Sequence, residues 1–308
     1  MSSRKPLKAK EFANFIVDRY KKDIAALKAT ESFEPEPFEV GMHRISWLQE
    51  WAMVANAYAS NDIITYTNAL NRFYGGEMVC AGLLFSPTLG IYYPGDPAAA
   101  YESCFQIDIF DLGFAKDISA LTAAMVSAAM PAEATPDSIL SVLRDVDPHA
   151  YFKSRLVGRM AHNLLKQAQS IVHVSKQTTI EEVFGTLLPP VIPPNSPHDS
   201  LYHAQLEKAY TLLEQQNQTM PFHAAEIHLV NLTALLFSNF NFQKALEFVV
   251  NYGRDNDTTA AVTGAILGAY YGADQLPKAM VEEVIKTNLA LGNDFEKLAQ
   301  QLVETISS

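Results

Sequence analysis

Asp255 and Asp257 stand two residues apart in the stretch Asn251-Tyr-Gly-Arg-Asp-Asn-Asp-Thr-Thr259, with Thr258 directly after them. Gly253 to Asp257 reads as a tight polar loop and Thr258 to Tyr271 as a helix. Two carboxylates and a hydroxyl therefore meet at one loop-to-helix junction. That donor set suits a hard cation, because Mg²⁺ prefers oxygen ligands, takes one or two carboxylates and completes its shell with water. The same spacing also suits a plain helix start, in which Asp and Thr side chains satisfy free backbone N–H groups and acids oppose the helix dipole favourably. Spacing alone leaves both readings open.

The helix that holds this junction is built of small residues: Ala260, Ala261, Gly264, Ala265, Gly268, Ala269 and Gly272. A glycine inside a helix costs roughly 0.5–1 kcal/mol against alanine, so several of them call for a compensating reason, and close backbone packing is the natural one. The expectation is a central helix, among the most buried of the fold, able to carry a rigid site.

The string Gly253-Arg-Asp-Asn-Asp-Thr-Thr-Ala-Ala, followed by Gly264-Ala, Gly268-Ala, Gly272 and Leu276-Pro277, resembles the C-terminal signature of the ADP-ribosylglycohydrolases. The resemblance extends to Glu226–Phe242, where a helix carrying Asn231 precedes an Asn-Phe turn, and to Tyr74-Gly-Gly-Glu77 and Pro94-Gly-Asp96. It covers about two-thirds of the chain. It implies an all-α fold, here a compact orthogonal multi-helix bundle, and hydrolysis of a ribosyl glycosidic bond of an ADP-ribosylated small molecule or protein. It further implies Mg²⁺ held by Asp255, Asp257 and Thr258, with Asp257 as the catalytic carboxylate and Glu77 and Arg254 facing the substrate. In that family a pair of magnesium ions is shared between this element and an N-terminal Thr-Asp-Asp motif. That motif and the glycine-rich helix before it are not found here. Ser60-Asn61-Asp62 is the nearest string, and it lies too close to Gly75-Gly76-Glu77 to match. Either the first segment is lost or a partner chain supplies it.

Composition narrows the rest. The formal net charge of −11 argues against a nucleic-acid or anionic-membrane surface. Cys80 and Cys104 are the only cysteines, which fits a reducing, cytoplasmic setting and excludes a disulfide scaffold or a cysteine-rich zinc site. A hydrophobic share of 48% over 308 residues supports a sizeable core, and no apolar run is long enough to span a bilayer.

Along the chain, a first helix is expected over about Lys8–Thr30, then a linker at Ser32–Glu39 where Pro35 and Pro37 interrupt. Arg44–Ser60 reads as an amphipathic helix. Its Trp47 and Trp51 sit four apart and are able to stack a base, although such a stripe is more often core. Asp62 caps a helix that runs to about Phe73. Glu77 is placed either to contact a ribose hydroxyl or simply to favour a first helical turn. Pro87–Pro97 is expected as a loop, with Pro97 opening a helix over Ala98–Phe105. Asp117 is expected to cap Ile118–Met130, and Thr135-Pro-Asp137 to start Ser138–Asp145. Further helices are expected at Ser154–Ser175, Leu201–Gln215, Pro221–Ser238 and Asn241–Val250. Residues 1–308 are expected to form one all-helical domain, with residues 1–35 an N-terminal helix and linker and residues 185–200 a proline-rich loop. The histidines show no ligand spacing; His223 and His228 are five apart, off a common helical face.

Three functions from different classes fit this pattern: the magnesium-assisted hydrolase, a member that binds ADP-ribose or a nucleotide without turning it over, and a helical interaction module. The last is weakest, since the helix pairs of Tyr210–Tyr252 show no repeat elsewhere.

Overall fold

Short polar residues at the start of each helix decide much of this architecture. Asp62, Asp96, Asp199 and Asn241 each accept a backbone N–H of the first turn that follows, at 2.8–3.1 Å. Thr135 and Ser138 form a reciprocal capping box. Each such bond satisfies one of the four N–H groups that a helix start leaves free. The computed structural model describes residues 7–29, 35–185, 192 and 196–307. Among them run fifteen α-helices and no strand. They are α1 (Ala9–Ala29), α2 (Pro35–Ala59), α3 (Ile63–Tyr74), α4 (Ser86–Tyr92), α5 (Pro97–Ile107), α6 (Phe114–Ala129), α7 (Pro136–Asp145) and α8 (Met160–Gln177), then α9 (Ile180–Phe184), α10 (Ser200–Glu214), α11 (Ala224–Phe237), α12 (Phe242–Tyr252), α13 (Asn256–Tyr271), α14 (Lys278–Ala290) and α15 (Phe295–Ser307). A short 3₁₀ turn, Ala81–Leu84, precedes α4. The all-α expectation holds. No helix among the described residues is long and apolar enough to cross a membrane.

The centre is formed by α6 and α11. Nearly every residue of both is buried, from Ala115 to Ala129 and from Ala224 to Phe237. α4, α5, α7 and α13 pack on α6, while α8, α12 and α13 pack on α11. A second apolar cluster joins α1, α2 and α3 through Ala13, Ile16, Val54, Ala55, Leu70 and Phe110. Phe12 and Phe85 touch both clusters. Inside the main core the Arg159 guanidinium makes two bonds to Asp117, at 2.8 and 3.0 Å, with both side chains fully enclosed. Tyr101 donates to the same carboxylate at 2.6 Å.

Several expectations need correction. α2 starts at Pro35, inside the segment expected to be a linker, and contains Pro37. Prolines are tolerated there because the first turn has no acceptor for its N–H groups. Pro87 likewise sits in the first turn of α4, where a loop was expected. Asp117 lies within α6, and its carboxylate is paired with Arg159 instead of capping. α8 begins at Met160, after an irregular stretch that carries Arg159. Helix α13 is not among the most buried elements. Its Thr258, Thr259, Val262, Thr263, Ile266 and Leu267 face the core, whereas Gly264, Ala265, Gly268 and Ala269 are half-exposed. A Cβ at Gly268 would meet no atom within 4 Å, so close backbone packing does not explain that glycine. Most of the proline-rich stretch 185–200, and residues 32–34 of the expected linker, lie outside the described residues.

Candidate active site

Asp255 occupies the position before the first turn of α13, where the other acids of this chain act as caps, yet its side chain makes no cap hydrogen bond. The backbone explains the difference. Gly253 has φ +82 and Arg254 φ +59, so the chain enters α13 through two left-handed residues, the second of them not glycine. Such a conformation is sparsely populated for a residue with a Cβ and costs on the order of 1–3 kcal/mol unless the surroundings hold it. They do hold it. The Arg254 guanidinium makes two bonds to Glu226, at 2.7 and 2.8 Å, and a third to the Gln218 carbonyl at 3.0 Å. Glu226 is itself buried in the first turn of α11 and accepts the Gln218 N–H at 2.7 Å. The planar fork of arginine matches a carboxylate in this way, and a lysine cannot.

Cys80 Sγ donates to Asp255 Oδ2 at 3.9 Å. Burial first, and the adjacent Asp257 next, push Asp255 up to about 6, with Thr258 opposing part of that shift. A carboxylate raised by burial and by a neighbouring acid marks a place where positive charge is favoured. Thr259 Oγ1 returns to the Asp255 carbonyl at 2.7 Å and ties the junction to its helix. One turn further on, Thr263 donates to Asn231 at 2.8 Å, both buried, which fixes α13 against α11.

Asp255, Asp257, Thr258 and Arg254 line one side of a cavity of about 490 Å³. Tyr74, Val79, Cys80 and Ala81 line it as well, together with the apolar Trp47, Leu84 and Phe222. Of the residues expected to do chemistry, Asp255, Asp257, Thr258 and Arg254 are thus brought together. Glu77 is not among the lining residues; it stands near His223, whose ring is lowered by burial while the Glu77 and Glu226 charges offset part of that. The tryptophan pair divides. Trp51 packs on Phe110 with ring centres 4.5 Å apart, whereas Trp47 is 56% exposed and faces the cavity. Cys80, Tyr74 and Phe222 escaped the sequence reading. They lie in loops or at helix ends, where no periodicity marks a face.

A cation fits this donor set in part. Asp255, Asp257 and the Thr258 oxygen are hard ligands on one side of an open cavity. Among the described residues no group of three His, Cys, Asp or Glu side chains could enclose a metal by itself. Asp62, of the Ser60-Asn61-Asp62 string, is engaged by Thr65, accepting from both its N–H and its hydroxyl.

The ADP-ribosylglycohydrolase family model matches residues 5–308, further toward the N-terminus than the recognisable motifs reach. A stretch of 43 residues is 49% identical to the ADP-ribosylhydrolase ARH3 of Homo sapiens; it makes up 14% of this chain and 12% of that protein. No solved structure matches. Matched over nearly its whole length, the chain belongs to the ADP-ribosylglycohydrolases, a family of hydrolases acting on ADP-ribosylated substrates.

Proposed function

We propose that this chain hydrolyses the glycosidic bond between ADP-ribose and an acceptor at the cavity bounded by Asp255 and Asp257. The observation that carries the reading is the Asp255 carboxylate. It is half-buried, released from capping, raised to about 6 and set beside Asp257 in a cavity. A purely structural acid at this position would cap α13, as Asp62 and Asp96 cap their helices.

Asp255, Asp257 and Thr258 would hold Mg²⁺, with water completing the shell, and the ion would supply Lewis acidity at the ribosyl bond. Bond cleavage passes through an oxocarbenium-like state, and two carboxylates facing ribose C1″ stabilise the positive charge that develops there. Asp257, the more exposed of the two, orients the attacking water. Arg254 contributes positive charge toward the pyrophosphate through Nη1, the nitrogen outside its bonds to Glu226 and Gln218. Trp47, Leu84 and Phe222 keep one side of the cavity dry. We also infer a single domain, supported by the sharing of Phe12 and Phe85 between the two apolar clusters.

The test is Asp257→Asn. Asp257 lies in the first turn of α13 and not at its cap, so the amide leaves the helix start intact. Turnover of an ADP-ribosylated substrate should fall by a hundredfold or more with circular dichroism unchanged. Unchanged turnover overturns the assignment of Asp257. If the unaltered protein binds ADP-ribose in calorimetry without hydrolysing any ADP-ribosylated substrate, it is a binding member of the family.

A further inference from the structure

Around Gly82, which follows the cavity-lining Cys80 and Ala81, two aspartates meet in the interior. Asp108 follows α5 and Asp111 precedes α6; they are 2% and 7% exposed. Asp108 Oδ1 accepts the N–H groups of Phe110 and Asp111 at 3.1 and 3.0 Å. Asp111 Oδ1 accepts the Gly82 N–H at 3.0 Å, and its Oδ2 accepts the Ser119 hydroxyl at 2.6 Å. Asp108 Oδ2 receives no hydrogen bond, although it is buried. Both Oδ2 atoms crowd onto one point. A Cβ at Gly82 would lie against Asp111 Oδ2, 2.6 Å from Ser119 Oγ and 2.7 Å from Asp108 Oδ2.

Two bare carboxylates in this position would repel each other across a low dielectric, and one would keep a buried oxygen unmet. A proton on Asp111 that is donated to Asp108 Oδ2 removes both difficulties. The surroundings offer little other compensation. Tyr66 and Tyr74 from α3, Cys80 before the 3₁₀ turn, Cys104 from α5 and Tyr151 act on the pair or are acted on by it, and Lys116 from α6 is a cation acting on Asp108. Burial raises both aspartates, and the nearness of Asp108 raises Asp111 further.

We propose that Asp108 and Asp111 hold a single proton between them at neutral pH and serve as a positioning pair, gripping Gly82 and so fixing the cavity-lining Cys80 and Ala81. Gly82 is the lever because its amide is bound by Asp111 while Cys80, two residues earlier, bonds Asp255. A larger residue at position 82 has no room beside the pair.

Carbon-13 spectra of the aspartate-labelled full chain, recorded across the pH range and assigned with Asp108→Asn and Asp111→Asn, test the shared proton. The expected result is one neutral carboxyl in the unaltered protein at neutral pH and an ionised remaining aspartate in each amide variant. Two carboxyls titrating together near ordinary aspartate pH would overturn it. Linkage gives a second arm. A raised folded-state value means that stability is fullest below the unfolded aspartate value and is lost as pH rises through the folded one. Asp111→Asn should therefore flatten the decline of the unfolding midpoint with rising pH; an unchanged slope counts against the proposal. The third arm rests on the hydrolase reading. Asp111→Ala should lower kcat at least tenfold with KM little changed, and Asp111→Asn should restore most of it. If spectra and slope behave as expected while the unaltered protein shows no turnover, the hydrolase reading fails and the shared proton stands.

Discussion

Asp117 and Arg159 show how much of this protein depends on single partners. The pair is fully enclosed, and Tyr101 donates to the same carboxylate. Removing one member of a buried pair leaves an unpaired charge, so Asp117→Ala should cost about 3–5 kcal/mol in urea unfolding. Tyr101→Phe, which removes one bond to a charged group, should cost about 1.5–3 kcal/mol. None of this was legible in the sequence, where Asp117 looks like a cap. Its partner lies 42 positions away and no local pattern links them. Asp255 and Asp257 were legible because their chemistry depends on adjacent residues, whereas the role of Arg254 in holding the turn depends on Glu226, 28 positions away. His228 is a second case of a residue defined by its surroundings. It is fully buried with neither ring nitrogen bonded, and burial, aided by the Arg159 charge, lowers it to about 3. A lowered folded value gives stability that is present above the unfolded histidine value near 6.5 and is lost as pH falls toward about 3. His228→Leu should therefore match or exceed the unaltered protein at neutral pH. Its advantage should widen steadily in urea titrations carried down to about pH 4.5.

At the scale of the element, two glycines make opposite predictions. Gly268 in α13 has a helical backbone and open space at its Cβ position, so Gly268→Ala should stabilise by about 0.5–1 kcal/mol. In α4, a Cβ at Gly90 would lie 2.6 Å from the Ala123 carbonyl and from Val126 Cβ, and Gly90→Ala should destabilise by about 1–3 kcal/mol or more. Thermal unfolding of the two variants side by side checks both signs. The close helix contact that the sequence pointed to in α13 is therefore found between α4 and α6. Small residues report that something is near or that nothing is, and composition does not distinguish the two. Helix starts were read best where the signal is local. The Asp62 cap and the Thr135 start signal fall where expected, because a cap needs only the next three residues. Pro35, Pro37 and Pro87 misled because proline both breaks a helix and opens one, and only the surrounding turn decides which.

For the whole molecule, the proposed single domain predicts one cooperative transition for the body of the protein. Phe85 contacts Phe12 at 5.1 Å and Trp51 at 6.4 Å between ring centres, and Phe12 and Phe85 pack against both apolar clusters. Phe85→Ala should cost about 3–5 kcal/mol without separating the transition into two steps, as near- and far-ultraviolet dichroism recorded together will show. The C-terminal pair stands apart from this body. α14 has no buried residue, Phe295, Leu298 and Val303 of α15 are exposed, and the two helices pack chiefly on each other and on the short turn Ala273–Gln275. Few apolar contacts mean a low free energy of local opening. In deuterium labelling, the amides of α14 and α15 will exchange through fluctuations of the pair alone, orders of magnitude faster than those of α6 and α11. A ligand seated at Asp255 will slow exchange along the first turns of α13 and leave the last two helices on their own clock.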